Sequence, residues 1–116
     1  MIKKHLASYR YAFRGIRIAF RSENNMVIHL AAAVGVLIVN YILDVTSTEW
    51  LITLMLIGLA WMAEIFNTAV EKLADRVSKN PDPLIGQAKD LAAGAVLIIC
   101  LVAAMCAGVI YWPYVW

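Results

Sequence analysis

Three long apolar runs divide the chain. Between Met26 and Leu43 no residue carries a formal charge, although His29 and Asn40 interrupt the run near its ends. From Trp50 to Val70 the single charge is Glu64, and from Leu91 to Trp116 there is none. A bilayer core asks for about 20 helical residues, so the pattern predicts transmembrane helices over 26–43, 50–70 and 91–112. The closing Trp112, Pro113, Tyr114, Val115, Trp116 segment suits a headgroup belt. The first run starts late, follows a helical segment and ends without a small-residue cleavage pattern, so it is read as a retained span rather than a signal peptide.

Ahead of it, residues 1–22 have a different period. Arg10, Arg14, Arg17 and Arg21 recur at i, i+4, i+7 and i+11, one basic row on a helix. Leu6, Tyr9, Phe13, Ile16 and Phe20 form an apolar row beside it. Such a helix lies in the interface, with arginines on lipid phosphates and rings in the acyl boundary. A topology anchor accounts for it as well as a substrate-facing role does. Tethered there, it is not expected to bind nucleic acid.

Composition agrees. Of 116 residues 63% are hydrophobic and 16% charged, with a mean hydropathy of +0.75, where a soluble domain has about a quarter charged. The expected architecture is one all-α membrane domain over 1–116: an amphipathic surface helix and three spans, with no room for a separate soluble catalytic domain. Cys100 and Cys106 lie within an apolar run and about 120° apart on a helix, as packing residues do. All ten basic residues precede span one or separate spans two and three, which puts both segments on the cytoplasmic side. The N-terminus is therefore expected inside and the C-terminus outside.

Glu64, Asn67, Thr68, Glu71 and Asp75 sit at i, i+3, i+4, i+7 and i+11, within one stripe of a helical face. The 1.5 Å rise separates Glu64 from Glu71 by about 10 Å, Glu64 being the deeper. An ionisable group inside a span costs a few kcal/mol and normally faces protein or water. Solvated surface pairing explains Lys72 and Arg76, but not Glu64 with Asn67. A carboxylate held away from water is suited to taking a proton, and that is the role expected of Glu64. Glu23, ahead of span one, and Asp90, at the start of span three, can join this face from the cytoplasmic side. Magnesium is commonly held by one or two carboxylates plus nucleotide phosphates, so Glu23 and Glu71 would suffice.

The segment Ser78, Lys79, Asn80, Pro81, Asp82, Pro83 reads as a hinge, with Asp82 as N-cap and Pro83 at N1 of the next helix. Lys89 follows about two turns later, placed to snorkel or to reach phosphate oxygens. Gly86, Asp90, Ala93, Gly94 and the larger Leu97 share a face that admits close approach of another helix.

Glu64-Ile-Phe-Asn67-Thr68-Ala-Val-Glu71, then Asp75-Arg76, then Ala88-Lys89-Asp90-Leu-Ala-Ala-Gly94-Ala-Val resembles the signature of the prokaryotic diacylglycerol kinase family, which includes undecaprenol kinases. The resemblance extends upstream through Tyr11, Gly15, Arg17, Phe20 and Glu23. It implies ATP- and Mg2+-dependent phosphorylation of a lipid hydroxyl at a bacterial cytoplasmic membrane, by a homotrimer of three-span subunits. By position it makes Glu64 the general base and Glu23 and Glu71 ligands of metal and nucleotide. Arg17, Asn67 and Asp75 become further active-site residues, with Lys89 and Asp90 near the nucleotide. Tyr11, Asn80, Pro81 and Asp82 correspond to further nucleotide contacts. The hinge differs from the His-containing turn of the enterobacterial enzymes, and Lys4 stands where they have arginine.

No Gly-x4-Gly-Lys-Ser/Thr loop and no Gly-x-Gly-x-x-Gly occurs, so phosphates would be held by magnesium and isolated side chains. A site composed between subunits is expected, because three thin spans hardly surround both substrates. Asn25 with Ile28-His29, and Leu91 to Gly94 after Asp90, lie closer to the undecaprenol kinase branch. Undecaprenol is thus the first expected acceptor, and diacylglycerol the alternative. His29 itself is read as structural, an interfacial hydrogen-bonder or lining residue. A proton-coupled exporter built on one membrane glutamate is the distant alternative; it usually needs four spans, and here most other acidic residues cluster at the cytoplasmic end.

Overall fold

The computed structural model describes residues 1–22 and 24–116, the side chain of Asn24 excepted. Among them are four helices: α1 (Ile2–Ser22), α2 (Asn24–Leu43), α3 (Ser47–Val77) and α4 (Pro83–Val115). The last three are long and apolar enough to cross a membrane, and α1 is the amphipathic helix, with Ala19 its one buried residue. At 31 and 33 residues, α3 and α4 outrun the apolar windows expected for them. At 1.5 Å per residue they reach about 46 to 50 Å, more than the roughly 30 Å of a hydrocarbon core. Helix also continues through Pro113 to Val115, beyond the span end expected at residue 112.

The turn between α2 and α3 is specified residue by residue. Asp44 adopts φ 52°, a left-handed conformation that a short polar side chain tolerates. Its N–H donates to the Tyr41 carbonyl and that of Val45 to the Asn40 carbonyl, each at 3.3 Å. This is the paired 5→2 and 6→1 bonding of a Schellman cap, with Val45 buried beneath it. Thr46 and Glu49 then form a capping box: the Glu49 N–H donates to Thr46 Oγ1 (3.1 Å) and the Thr46 N–H to Glu49 Oε1 (3.0 Å). At the other end of α3, Asp82 Oδ1 accepts from the N–H groups of Leu84 (2.9 Å) and Ile85 (3.4 Å), with Pro83 at the first turn of α4. The predicted N-cap and N1 pair is thus present.

Most helix-to-helix contact is between α3 and α4, with α2 and α1 laid against α3. Polar groups join the spans near the α2–α3 turn. The fully buried Asn40 donates from Nδ2 to Thr53 Oγ1 (2.8 Å) and accepts at Oδ1 from the Tyr111 hydroxyl (2.6 Å). Thr53 in turn donates to the carbonyl of Glu49 or Trp50, both at 3.0 Å, and the Tyr114 hydroxyl donates to Glu49 Oε1. Three spans are therefore tied at one end by satisfied hydrogen bonds, which water cannot replace inside a bilayer. Ile110 is the only buried residue of α4, so most of that helix presents its side chains outward from this chain.

Candidate active site

The carboxyl-terminal half of α3 carries the polar stripe, and its burial is graded. Glu64 (1% exposed), Asn67 and Thr68 are buried, Glu71 is half-buried and Asp75 is exposed. These positions span about three turns, between Glu64 and the α3–α4 end of the helix. Thr68 donates to the Glu64 carbonyl at 3.0 Å and so satisfies its hydroxyl within the helix.

The Glu64 carboxylate faces α2. Asn25 donates from Nδ2 to Oε1 at 3.5 Å, and His29 Nε2 stands 3.6 Å from Oε2. The Trp61 indole, three residues before Glu64, donates to the His29 carbonyl at 3.4 Å. Its ring meets Phe20 of α1 edge-on, with centroids 5.8 Å apart. One turn of α3 therefore fixes the positions of both α2 and α1. The sequence puts Phe20 on an apolar row and makes His29 structural; the approach of His29 to Glu64 and of Phe20 to Trp61 has no local signal.

Nearer the α3–α4 turn, Asn67 donates from Nδ2 to Glu71 Oε1 at 3.4 Å. Asn67 Oδ1 is buried and has no hydrogen-bond partner among the described residues. Unpaired buried oxygens are rare enough to require a reason. Beside a half-buried carboxylate, one suits a hard cation, which takes oxygen ligands. Among the described residues no group of three His, Cys, Asp or Glu is placed to hold a metal ion. Glu23, the other expected ligand, lies outside the described residues.

Lys89 of α4 pairs with Asp75 of α3, Nζ to Oδ1 at 2.5 Å. Both line an open cleft of about 850 Å³, together with Lys79, Asn80, Pro81 and Asp82. The structure thus gathers Asp75, Asn80, Pro81, Asp82 and Lys89 into one place. Asp90 lines a separate shallow groove with Gln87, Leu91 and Gly94. Tyr11 and Arg17 are exposed on α1, with no side-chain hydrogen bond or ion pair to the stripe among the described residues. A third, apolar cavity of about 220 Å³ runs between α2, α3 and α4, bounded by His29, Ala33, Val36, Ala60, Cys100 and Tyr111.

A buried carboxylate, the Asn67 and Glu71 oxygens, and a polar cleft shared with Lys89 of α4 thus follow one another toward the α3–α4 turn. Residues 10–111 match the family model described as prokaryotic diacylglycerol kinase. The chain belongs to that family. It is accordingly a kinase, a phosphotransferase acting on a lipid alcohol. Family membership implies ATP as donor and places the chain among multi-pass membrane proteins of prokaryotes. It is similar to the undecaprenol kinase of Bacillus subtilis (strain 168), at 35% identity over 112 residues, covering 97% of this chain and 91% of the relative. It is also similar to the diacylglycerol kinase of Escherichia coli (strain K12), at 28% over 104 residues, covering 90% and 85%. Against the diacylglycerol kinase of Synechocystis sp. it is 32% identical over 109 residues, 93% of this chain but 62% of that longer protein.

Proposed function

We propose that this kinase transfers the γ-phosphoryl group of ATP to undecaprenol, giving undecaprenyl phosphate, with Glu64 as general base. The observation that carries the mechanism is the Glu64 carboxylate, 1% exposed within an apolar helix and in line with Asn67 and Glu71. The lipid hydroxyl gives its proton to Glu64 as its oxygen attacks the γ-phosphorus. The bond from that phosphorus to the bridging oxygen breaks, and ADP leaves with the electron pair. Such transfers demand positioning and charge neutralisation rather than covalent chemistry from the protein.

Glu71 and the free oxygen of Asn67, with Glu23, would hold Mg2+, which when bound neutralises phosphate charge. Lys89, with Asn80, Pro81 and Asp82 at the hinge, binds the nucleotide in the cleft that Asp75 also lines, whereas Asp90, Tyr11 and Arg17 lie outside that cleft in a single chain. The cavity between α2, α3 and α4 gives an apolar chain room beside His29. The open face of Gly86, Ala93 and Gly94, where an added Cβ at either glycine meets nothing within 4 Å, receives a second copy in a homotrimer that completes the site. The basic segments 1–22 and 72–89 place the N-terminus and active site in the cytoplasm and the C-terminus outside.

Undecaprenol is preferred to diacylglycerol because the B. subtilis relative matches this chain at higher identity, over nearly its whole length, than the E. coli one. The deciding measurement is transfer of radiolabel from ATP into a panel of undecaprenol, diacylglycerol and ceramide in mixed micelles. Preferential labelling of undecaprenol is expected. Preferential labelling of diacylglycerol would make phosphatidic acid the product and overturn the assignment.

A further inference from the structure

The carboxylate of Glu64 faces an amide and an imidazole from a single neighbouring helix. Asn25 reaches one oxygen and His29 the other, at 3.5 and 3.6 Å. The two are four residues apart on α2, the spacing that stacks side chains on one face. They therefore approach the carboxylate as two prongs from one direction. The α2 backbone is held at the same level, since Trp61 donates to the His29 main-chain carbonyl at 3.4 Å. Trp61 and Glu64 are themselves one turn apart on α3, so the two helices are bolted together at the level of the carboxylate.

We propose that Asn25 and His29 are positioning residues that hold both oxygens of Glu64 in the orientation from which it takes the proton of the lipid hydroxyl. The proposal rests on Glu64 being the base. A glutamate side chain has three rotatable bonds, and proton transfer requires the accepting oxygen within hydrogen-bond reach of the hydroxyl. Fixing both oxygens from α2 removes that freedom before substrate arrives. The type of donor matters as much as the geometry. Among the described residues no lysine or arginine pairs with Glu64. A fixed cation there would hold the carboxylate ionised and make it a poorer proton acceptor. An amide and an imidazole orient it without imposing a permanent charge. His29 also bounds the apolar cavity, so the prong that sets one oxygen of Glu64 also faces the space beside the reacting end of the lipid.

The test is steady-state kinetics on full-length protein in lipid micelles, varying ATP and undecaprenol, for His29→Leu, His29→Gln, Asn25→Ala and Glu64→Gln. Misplacing a catalytic group by about 1 Å costs up to about 10²-fold. His29→Leu and Asn25→Ala are therefore expected to lower kcat by tenfold to a hundredfold, with KM for both substrates within about twofold. His29→Gln keeps an N–H donor at nearly the same reach and should recover most of the loss, which a merely structural packing role would not allow. Asn25 is exposed, so Asn25→Ala reports even if a His29 variant misfolds. Wild-type kcat in Asn25→Ala, equal losses in His29→Leu and His29→Gln, or a loss confined to KM would each overturn the clamp. Glu64→Gln separates the two readings. An inactive Glu64→Gln beside a fully active Asn25→Ala removes the clamp and leaves the base in place, whereas an active Glu64→Gln removes the base itself.

Discussion

At the residue scale, a glutamate in the middle of a membrane helix costs a few kcal/mol, and the fold sets Glu64 against Asn25 and His29 of α2. Losing general-base catalysis costs about 10²- to 10⁴-fold in turnover, so Glu64→Gln should leave ATP binding intact while kcat falls by that order. Full turnover in the variant would assign the proton elsewhere. Asn67 has the complementary property, a buried oxygen with no partner among the described residues. Glu71→Ala should therefore raise the magnesium concentration needed for half-maximal activity, and an unchanged magnesium titration would remove Glu71 from the metal. The stripe itself was legible from five spacings in the sequence. What held its deepest member was not, because Asn25 and His29 are 39 and 35 positions away from it in the chain, and only helix packing makes them neighbours.

At the element scale, caps and turns set where helices stop, and polar clasps set how they pack. Asp82 satisfies two otherwise free N–H groups at the start of α4. Asp82→Ala should cost about 1 kcal/mol of stability, and it acts on the cleft that Lys89 and Asp75 share. The Asn40, Thr53 and Tyr111 network joins α2, α3 and α4 near the α2–α3 turn. Removing the Tyr111 hydroxyl in Tyr111→Phe strands the Asn40 oxygen, and interhelical hydrogen bonds in membranes are worth about 0.6 to 2 kcal/mol. A lowered unfolding midpoint in an SDS titration is the expected result. An unaltered midpoint would show that the clasp contributes nothing. Asp82 and Pro83 announced the start of α4 through local chemistry. The last turns of α3 to Val77 lie beyond the apolar window because they are charged, and the helical period of the stripe carries the helix through Asp75.

At the scale of the whole molecule, a thin set of helices leaves much apolar surface open, and along α4 a small-residue face lies unpartnered within one chain. Gly94→Leu fills space that is empty in the single subunit, so its fold should survive. If a second copy packs there, the variant should dissociate on sedimentation in detergent and lose kinase activity. An associated, active Gly94→Leu protein would place the subunit contact on another face.

Three spans and an amphipathic leading helix follow from composition and period alone, because burying an uninterrupted apolar run in lipid leaves little choice of structure. The acidic stripe follows equally from the chain, since 3.6 residues per turn is a local rule. Tertiary structure alone decided which groups surround that stripe. Asn25, His29, Phe20 and Trp61 come together around Glu64 through long-range packing, and the hinge, Asp75 and Lys89 close one cleft while Asp90 turns to another. Those choices depend on how helices rotate against one another, and no periodicity within a single helix encodes the rotation of its neighbour.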